Sequence, residues 1–277
     1  MISGHKILNK INPSFNAMSS RIQFLLEQVR AQVRRREETD RKVSYAWLIF
    51  LILGAIVVLA LIAVIFLALI AVIFAFPALQ PIIYGVAILV IYGVAILVQI
   101  PYLILLYMLI SRRNRHFARQ QRLFEYTLEF LREASKARNV NPEARLMSVE
   151  RELREARDEE GEKNAVIWVI LTLFTGILGL YVYYFLMKDF PKHERREDRI
   201  LEDVNAALTS MGAMPLPKRE EAIPNRSFAL YFVLSLVTVG IFAIYWLYTL
   251  IRDPNIHFRE QARIEDDLIR RIEVLAS

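Results

Sequence analysis

The chain has 277 residues, of which 55% are apolar and 23% charged, with a formal charge of +6 and no cysteine. The lack of cysteine excludes disulfides, thiolate metal sites and cysteine nucleophiles. No charged residue occurs between Lys42 and Arg112, and two further uncharged runs cover 164–187 and 227–251. Apolar runs longer than about 18 residues are typical of membrane-spanning helices. Outside the N-terminal segment the two charge signs are interleaved, so we attribute the basic surplus to a membrane surface and predict no nucleic-acid partner.

Residues 1–43 are predicted to form a basic amphipathic N-terminal helix. Its apolar side chains recur at helical spacing: Ile22, Leu25, Leu26, Val29 and Val33. Its end is strongly basic: Arg34, Arg35, Arg36, Arg41 and Lys42. Two interpretations are open. The helix is either an arm on anionic headgroups or a packed cytosolic helix whose charges flank a membrane span.

Residues 44–111 are predicted to form a long transmembrane hairpin. Tyr45–Phe76 and Ile82–Ile110 are apolar helices, and the uncharged turn Pro77–Pro81 between them makes the pair antiparallel. Lys and Arg abound before the first helix and after the second but are absent from the turn. The positive-inside rule therefore predicts an integral cell-membrane protein with its N-terminus and residues 112–163 in the cytoplasm.

The two hairpin helices are longer than a bilayer requires. Ala60–Phe66 recurs as Ala68–Phe74, and Ile83–Val90 recurs as Ile91–Val98, so each helix gains eight residues, or roughly 12 Å. The helices reach roughly 48 and 43 Å, against about 30 Å of hydrocarbon. The hairpin must tilt or project, and projecting apolar surface needs cover. We therefore expect a homo-oligomer.

Residues 112–163 are predicted to form a charged cytoplasmic helical region. Asn141-Pro142-Glu143 is typical of a helix start, because a capping side chain, a first-turn proline and an acid follow one another. The next apolar residues lie three or four positions apart: Leu146, Val149, Leu153 and Ala156. This spacing favours one buried stripe on a solvated helix.

Three segments of the chain align without gaps. Each has a tyrosine nine residues before a histidine: Tyr107 and His116, Tyr184 and His193, Tyr248 and His257. An arginine follows each histidine by six residues: Arg122, Arg199 and Arg263. A carboxylate stands three residues further on: Glu125, Glu202 and Asp266. Apolar positions recur as well: Leu123, Ile200 and Ile264, then Leu131, Leu208 and Ile272. Such a match indicates an internal repeat, in which an apolar helix ends at a tyrosine and a charged turn leads into an amphipathic helix.

The second and third copies occupy 164–226 and 227–277, each predicted to be an apolar segment followed by an amphipathic cytoplasmic helix. Equivalent copies should place these amphipathic helices on one side, yet a single span at 164–187 would export 188–226. One solution is short or re-entrant hairpins broken near Gly176/Gly179 and Gly240. We favour plain spans, because about 24 residues suit one crossing.

The three histidines are the candidates for a shared site. If the repeats surrounded one axis, the imidazoles could converge on a metal ion. We favour a histidine that caps the charged turn at the membrane interface, and expect no metal or other cofactor, because no carboxylate joins the histidines at ligand spacing. The arginine–carboxylate pairs three residues apart are interpreted as surface ion pairs. The sequence contains no phosphate-binding Gly-rich loop, no G-x-S-x-G and no H-E-x-x-H motif, so we expect no enzyme.

Two segments carry a resemblance. Thr175-Gly-Ile and Thr238-Val-Gly-Ile-Phe-Ala-Ile-Tyr-Trp-Leu-Tyr248 resemble an uncharacterised prokaryotic membrane family, a domain of unknown function with a T-x-G-I-Y-x-I-Y-W-like helix. The resemblance covers about 30 residues in each of two copies. It implies a membrane location and says nothing about chemistry.

These observations predict an all-α integral membrane protein, with a long transmembrane helical hairpin and two further apolar segments followed by amphipathic cytoplasmic helices. The function we expect is non-enzymatic: a self-associating protein of the lipid bilayer with a structural or scaffolding role and a cytoplasmic protein partner. The alternative is an oligomeric ion channel with a hydrophobic pore, which needs no charge inside the membrane.

Overall fold

The computed structural model describes residues 13–75 and 80–276, which are all-helical and contain no strand. The helices in chain order are α1 (Pro13–Arg34), α2 (Arg36–Thr39), α3 (Ala46–Ala75), α4 (Gln80–Ala137), α5 (Glu143–Glu159), α6 (Ala165–Thr175), α7 (Leu178–Ser210), α8 (Phe228–Val237) and α9 (Ile241–Ala276). The predicted helical class is confirmed for this part of the chain.

The polar ends of the helices form one bundle. α1, α5 and the C-terminal halves of α4, α7 and α9 pack around a shared apolar core. The recurring apolar positions of the three aligned segments are all buried there: Leu123, Leu131, Ile200, Leu208, Ile264 and Ile272. The stripe predicted on α5 is buried as well. The bundle therefore forms where the sequence repeats its apolar pattern.

The N-terminal helix belongs to this bundle. Ile22, Leu25, Leu26 and Val29 of α1 are buried against the core, and α1 lies along α4. Of the two interpretations of this segment, the packed helix is the one found. Residues 1–12 lie outside the described residues.

The long hairpin consists of α3 and the first part of α4, both long and apolar enough to cross a membrane. α3 has 30 residues and extends about 45 Å. Its side chains are largely exposed, and its buried residue is Leu48. Of the predicted turn, residues 77–79 lie outside the described residues. α4 runs without a break from this hairpin into the bundle, so no structural boundary exists at Ser111–Arg112.

The second and third apolar runs are short helical hairpins, and the expectation of plain spans is wrong. α6 has 11 residues and α8 has 10, so each extends only about 15–16 Å. The chain reverses after α6 at Gly176 (φ +61°) and after α8 at Gly240 (φ +88°). Both torsions lie in the left-handed region, where glycine adds no steric cost. Residues 188–210 and 252–276 therefore return toward the same bundle as the end of α4.

Each of the three hairpins begins at a capping residue. The side-chain oxygen accepts a hydrogen bond of 3.1–3.3 Å from a backbone N–H two or three residues further on. The capping residues are Ser44, Asn164 and Ser227. Such caps satisfy an amide that the first helical turn leaves free. They fix where the polar chain turns into an apolar helix.

A second apolar core lies where the three hairpins meet. A buried arginine lies at its edge. Its residues include Leu105, Leu109, Val182, Phe185, Trp246 and Ile251. Arg112 is 1% exposed, and its Nη2 donates to the backbone oxygens of Leu250 at 2.7 Å and Ile251 at 3.3 Å. Pro254 has no N–H, so the Leu250 oxygen lacks its usual helical donor. Arg112 replaces that donor from the neighbouring helix.

We predict that Arg112→Met lowers the free energy of unfolding by about 1–3 kcal/mol, because the Leu250 oxygen loses its donor. Pro254→Ala restores a backbone N–H that can donate to that oxygen. The same Arg112→Met change should then cost less in the Pro254→Ala background. Unfolding of the four proteins in mild detergent measures both losses, and equal losses in the two backgrounds would contradict the pairing.

We predict that Leu25→Ala lowers the free energy of unfolding by about 2–5 kcal/mol, because it opens a cavity between α1 and α4. The neighbouring Phe24 is 49% exposed, so Phe24→Ala is the control and should cost less than about 1 kcal/mol. Thermal or chemical unfolding compares the two variants. Equal costs would show that α1 is not packed as described.

Candidate metal centre

The three aligned histidines lie inside long continuous helices. His116 is on α4, His193 on α7 and His257 on α9, and their exposed fractions are 0%, 4% and 0%. No charged turn precedes them, because each helix continues through this region. The predicted role of capping such a turn is therefore wrong.

The three imidazole rings face one another at the middle of the molecule. The distances between ring centroids are 5.3 Å for His116 and His193, 4.9 Å for His116 and His257, and 5.8 Å for His193 and His257. They lie in a layer between the two apolar cores, beside the rings of Phe117, Phe190 and Phe258. The convergence considered from the sequence is thus what the fold produces.

Each histidine has a carboxylate at its Nδ1 atom. The pairs are His116 with Asp40 at 3.0 Å, His193 with Glu160 at 2.6 Å and His257 with Glu194 at 2.9 Å. The contacts of His193 and His257 are hydrogen bonds, whereas Nδ1 of His116 lies within ion-pair distance of Asp40 without forming a hydrogen bond. A hydrogen-bonded carboxylate fixes the orientation of the ring and favours the proton on Nδ1. In His193 and His257 the Nε2 atom is then free to bind a metal ion.

The Nε2 atoms meet around the carboxylate of Glu197. Nε2 of His116 and Nε2 of His257 are 3.0 Å apart. The two oxygens of Glu197 lie 3.1 Å from Nε2 of His193 and 3.4 Å from Nε2 of His257. One ligand atom from each of these four buried residues fits within a set no wider than 4.8 Å. Three imidazole rings and one carboxylate therefore converge on one buried space.

This arrangement needs a proton or a metal ion at its centre. When both rings carry their proton on Nδ1, each Nε2 atom carries a lone pair, and two such lone pairs 3.0 Å apart repel each other. A proton on one Nε2 atom turns the contact between His116 and His257 into a hydrogen bond. In addition, Nε2 of His193 and Oε1 of Glu197 are buried and make no hydrogen bond to the described residues. A proton or a metal ion between these atoms removes both the repulsion of the lone pairs and the cost of burying polar atoms without a partner.

The surrounding charges favour a cation as well. Within the described residues, four carboxylates contact the histidines, and three guanidinium groups contact those carboxylates: Arg119, Arg196 and Arg219. Arg119 and Arg196 are also shared with Glu265 and Glu159. With neutral imidazoles the centre therefore has an excess of negative charge, and that excess is buried.

The protonation of the histidine cluster follows from these neighbours. Burial alone lowers the pKa of His193, but the carboxylates of Glu197 and Glu160 raise it to about 9. Burial lowers the pKa of His257 to about 4, although Glu197 acts in the opposite direction. Burial acts to raise the pKa of Glu197, but His193 and His257 hold it well below its usual range. A proton on His193 thus supplies the positive charge that a metal ion would otherwise provide.

The centre is closed. A cavity of about 10 Å³ touches His193 and Glu197, which is near the smallest volume that holds one water molecule. Four protein ligands without an open coordination position are typical of structural metal sites, whereas catalytic sites keep a position for water or substrate. The geometry therefore suits an ion that holds helices together.

Glu197 is the candidate ligand that sequence reasoning missed. It stands four residues after His193, so both side chains lie on one face of α7. The equivalent positions after the other two histidines are Gln120 and Gln261, also buried. The pattern of a histidine followed at the fourth position by Glu or Gln could have indicated a polar layer.

The Nδ1 carboxylates also follow a pattern. Asp40 and Glu160 each stand four residues before a hairpin's capping residue, Ser44 and Asn164. The third equivalent position is Ile223, which cannot accept a hydrogen bond through its side chain. Its place is taken by Glu194, which contacts His257 and accepts the backbone N–H of Ile223 at 2.7 Å.

The remaining predicted site residues are not brought to this centre. Tyr107 and Tyr184 are 47% and 43% exposed, and the ring of Tyr248 packs 5.5 Å from that of Tyr45. The predicted ion pairs three residues apart are wrong, because their members bind other partners. Glu125 pairs with Arg157, Arg199 with Glu152, Arg263 with Glu220 and Glu260, and Asp266 with Arg36.

Comparison with known families gives one partial match. A family described as Domain of unknown function (DUF4234) matches residues 226–269. This segment contains α8 and most of α9, including His257. The match gives the chain a weak similarity to an uncharacterised domain over less than half its length. Neither the curated proteins nor the solved structures contain a match.

Proposed function

We propose that this chain is a non-enzymatic integral membrane protein whose three repeats are joined by one divalent transition-metal ion. The ligands are Nε2 of His116, His193 and His257 and the carboxylate of Glu197. The observation that carries the proposal is the convergence of these four groups, with a carboxylate at every Nδ1 atom. The ion gives the protein a structural rather than a catalytic centre.

The ligand set selects a class of metal. Neutral imidazole suits zinc, iron, copper and nickel, whereas calcium and magnesium prefer oxygen ligands. A carboxylate that holds the second ring nitrogen is the usual support of a metal-bound histidine. Both features favour a divalent transition metal of intermediate hardness. We take Zn²⁺ as the probe.

The ion would act as a cross-link between distant parts of the chain. Its ligands come from α4, α7 and α9, one helix from each repeat. Because the four ligands assemble only in the folded chain, the free energy of metal binding adds to that of folding. This is the expected role of a buried ion with four protein ligands.

The hairpins favour one arrangement in the bilayer. The helices α3 and α4 are long enough to cross it, and the two short hairpins would enter from the side of the polar bundle. Residues 188–226 then share the cytoplasmic side with 112–163, which agrees with their basic side chains. The backbone reversals at Gly176 and Gly240 support this topology.

We predict that the purified protein binds about one equivalent of Zn²⁺ and that Glu197→Gln weakens binding by about tenfold or more. Glutamine also occupies the two equivalent positions, 120 and 261, so it should be tolerated in the fold. Glu265→Gln is the matched control, because Glu265 is an equally buried carboxylate that contacts Arg119 but none of the histidines. Its Zn²⁺ affinity should stay near that of the parent.

Metal content by mass spectrometry, titration with Zn²⁺ and the visible spectrum of the Co²⁺ form measure this site. Chelation should lower the unfolding temperature of the parent by about 5 °C or more, and should leave that of Glu197→Gln nearly unchanged. Two outcomes would show that the histidines form a polar network without a metal. One is an equal Zn²⁺ affinity of Glu197→Gln and Glu265→Gln, and the other is an unfolding temperature of the parent that the chelator does not change.

We also infer that the long hairpin self-associates. The exposure of its apolar side chains along about 45 Å supports this, because part of that surface exceeds the hydrocarbon thickness of about 30 Å. A second copy of the chain would cover the excess and fit a scaffolding role. The ion channel stays a prediction of the sequence.

We predict a discrete oligomer for the full chain in lipid nanodiscs. Joint deletion of residues 67–74 and 91–98 removes one copy of each duplicated segment and keeps the two helices matched. The shortened protein should dissociate, because its hairpin no longer exceeds the bilayer. Native mass spectrometry gives the mass of both proteins. A monodisperse monomer of the full chain in both lipid and detergent would overturn self-association.

A further inference from the structure

A cleft of about 420 Å³ lies between the end of α1, α2 and the polar half of α4, and most of its lining is arginine. Five arginines contribute to it: Arg35, Arg41, Arg115, Arg119 and Arg122. Glu38 is the acidic residue of the lining. The volume falls in the range of about 300–1,000 Å³ that is typical of small-molecule sites.

Four of these guanidinium groups have no carboxylate partner among the described residues. Arg119 is neutralised by Asp40 at 2.6 Å and Glu265 at 2.8 Å. Arg35, Arg41 and Arg122 are exposed and form no ion pair in the part of the chain that the structure describes. Arg115 is also exposed, and its Nε donates only to the backbone oxygen of Ser111. This differs from the rest of the bundle, where most arginines pair with Asp or Glu.

The cleft lies at the boundary between the uncharged hairpin and the polar bundle. Arg41 stands five residues before the first residue of α3, and Arg115 stands four residues after the uncharged run ends at Ser111. In the proposed membrane arrangement Arg41 and Arg115 lie near the phosphates of the cytoplasmic headgroups. Arg122 lies roughly 16 Å beyond Ser111 along α4, on the cytoplasmic side of those phosphates.

Guanidinium groups in this number select a phosphate with more than one negative charge. A planar guanidinium donates two parallel hydrogen bonds to a phosphate, and four such groups around one acid leave a local surplus of positive charge. A zwitterionic headgroup would not neutralise that surplus. A dianionic phosphomonoester would do so.

We propose that this cleft binds the phosphomonoester headgroup of an anionic membrane lipid, through Arg35, Arg41, Arg115 and Arg122. The site rests on the proposed membrane location of the hairpin, and it does not involve the histidine ligands. Thr39 and Arg119 form its inner wall. Lipid binding would hold α2 and the start of the long hairpin against α4.

The test compares two double variants of the full chain. Arg41→Gln with Arg115→Gln removes two cleft arginines. Arg151→Gln with Arg195→Gln is the matched control, because both residues are exposed, form no ion pair within the described chain and lie outside the cleft. The two proteins carry the same change in net charge, so a difference between them reports the cleft.

Native mass spectrometry in mild detergent counts the bound lipid at rising concentrations of phosphatidic acid or phosphatidylcholine. The parent and the control should retain phosphatidic acid, and the cleft variant should bind it about tenfold or more weakly. Phosphatidylcholine should bind all three proteins alike. Equal weakening in both double variants, or in neither, would overturn the site.

Inorganic phosphate and pyrophosphate distinguish a lipid from a soluble ligand. If either anion displaces phosphatidic acid at equal concentration, the cleft serves a soluble phosphate and the lipid assignment is overturned. The variant Glu197→Gln distinguishes the lipid site from the metal centre. It should bind phosphatidic acid like the parent, so failure of the metal site leaves this result intact.

Discussion

The packing of this chain depends on the compensation of charge inside the layer where His116, His193 and His257 meet. Four carboxylates and three guanidinium groups lie there between two apolar cores, and each of these side chains is 10% exposed or less. A charge removed from water destabilises the fold unless a partner is held at hydrogen-bond distance. Each helix that contributes a histidine is therefore fixed in height and rotation by that layer. The relative positions of α4, α7 and α9 that the layer sets also determine which side chains meet in the two apolar cores.

This constraint explains why α4, α7 and α9 remain continuous through the centre. A turn at the histidines would expose backbone groups beside buried carboxylates, where no water is available to satisfy them. Proline occurs in this region at Pro191 and Pro254, and neither ends its helix. At Pro254 the donor lost from the backbone is supplied by Arg112 of the neighbouring helix. A side chain next to the polar layer thus replaces the hydrogen bond that the proline removes from the helix.

The sequence indicated those features that depend on local periodicity. The stripes on α1 and α5 pack against the core as their spacing predicts, with Val33 partly buried, and the recurring apolar positions of the three segments are buried. Helix α5 begins two residues after Asn141. The hairpins at Gly176 and Gly240 were not favoured, because a run of 24 apolar residues suits one span as well as two short helices. The packing of Trp168 against Phe185 and of Phe228 against Trp246 shows that the chain reverses in both runs.

The site depended on information that spacing does not contain. Whether His116, His193 and His257 point toward one another is determined by the rotation of three helices that are far apart in sequence. Glu197 could have been found, since a side chain four residues after His193 shares its helix face. Glu194 could not, because its role depends on the third hairpin, where Ile223 stands in place of an acid. That Glu194 of the second repeat supplies the carboxylate for His257 of the third repeat can be seen only in the assembled helices.

The unequal lengths of the hairpins have a mechanical consequence. Placed in a bilayer, α6 and α8 would occupy about 15 Å of depth and so remain within a single leaflet, whereas the long hairpin would pass through both. The protein would then displace more lipid area from the inner leaflet than from the outer one. An asymmetric insertion of this kind would favour curvature of the bilayer around each molecule.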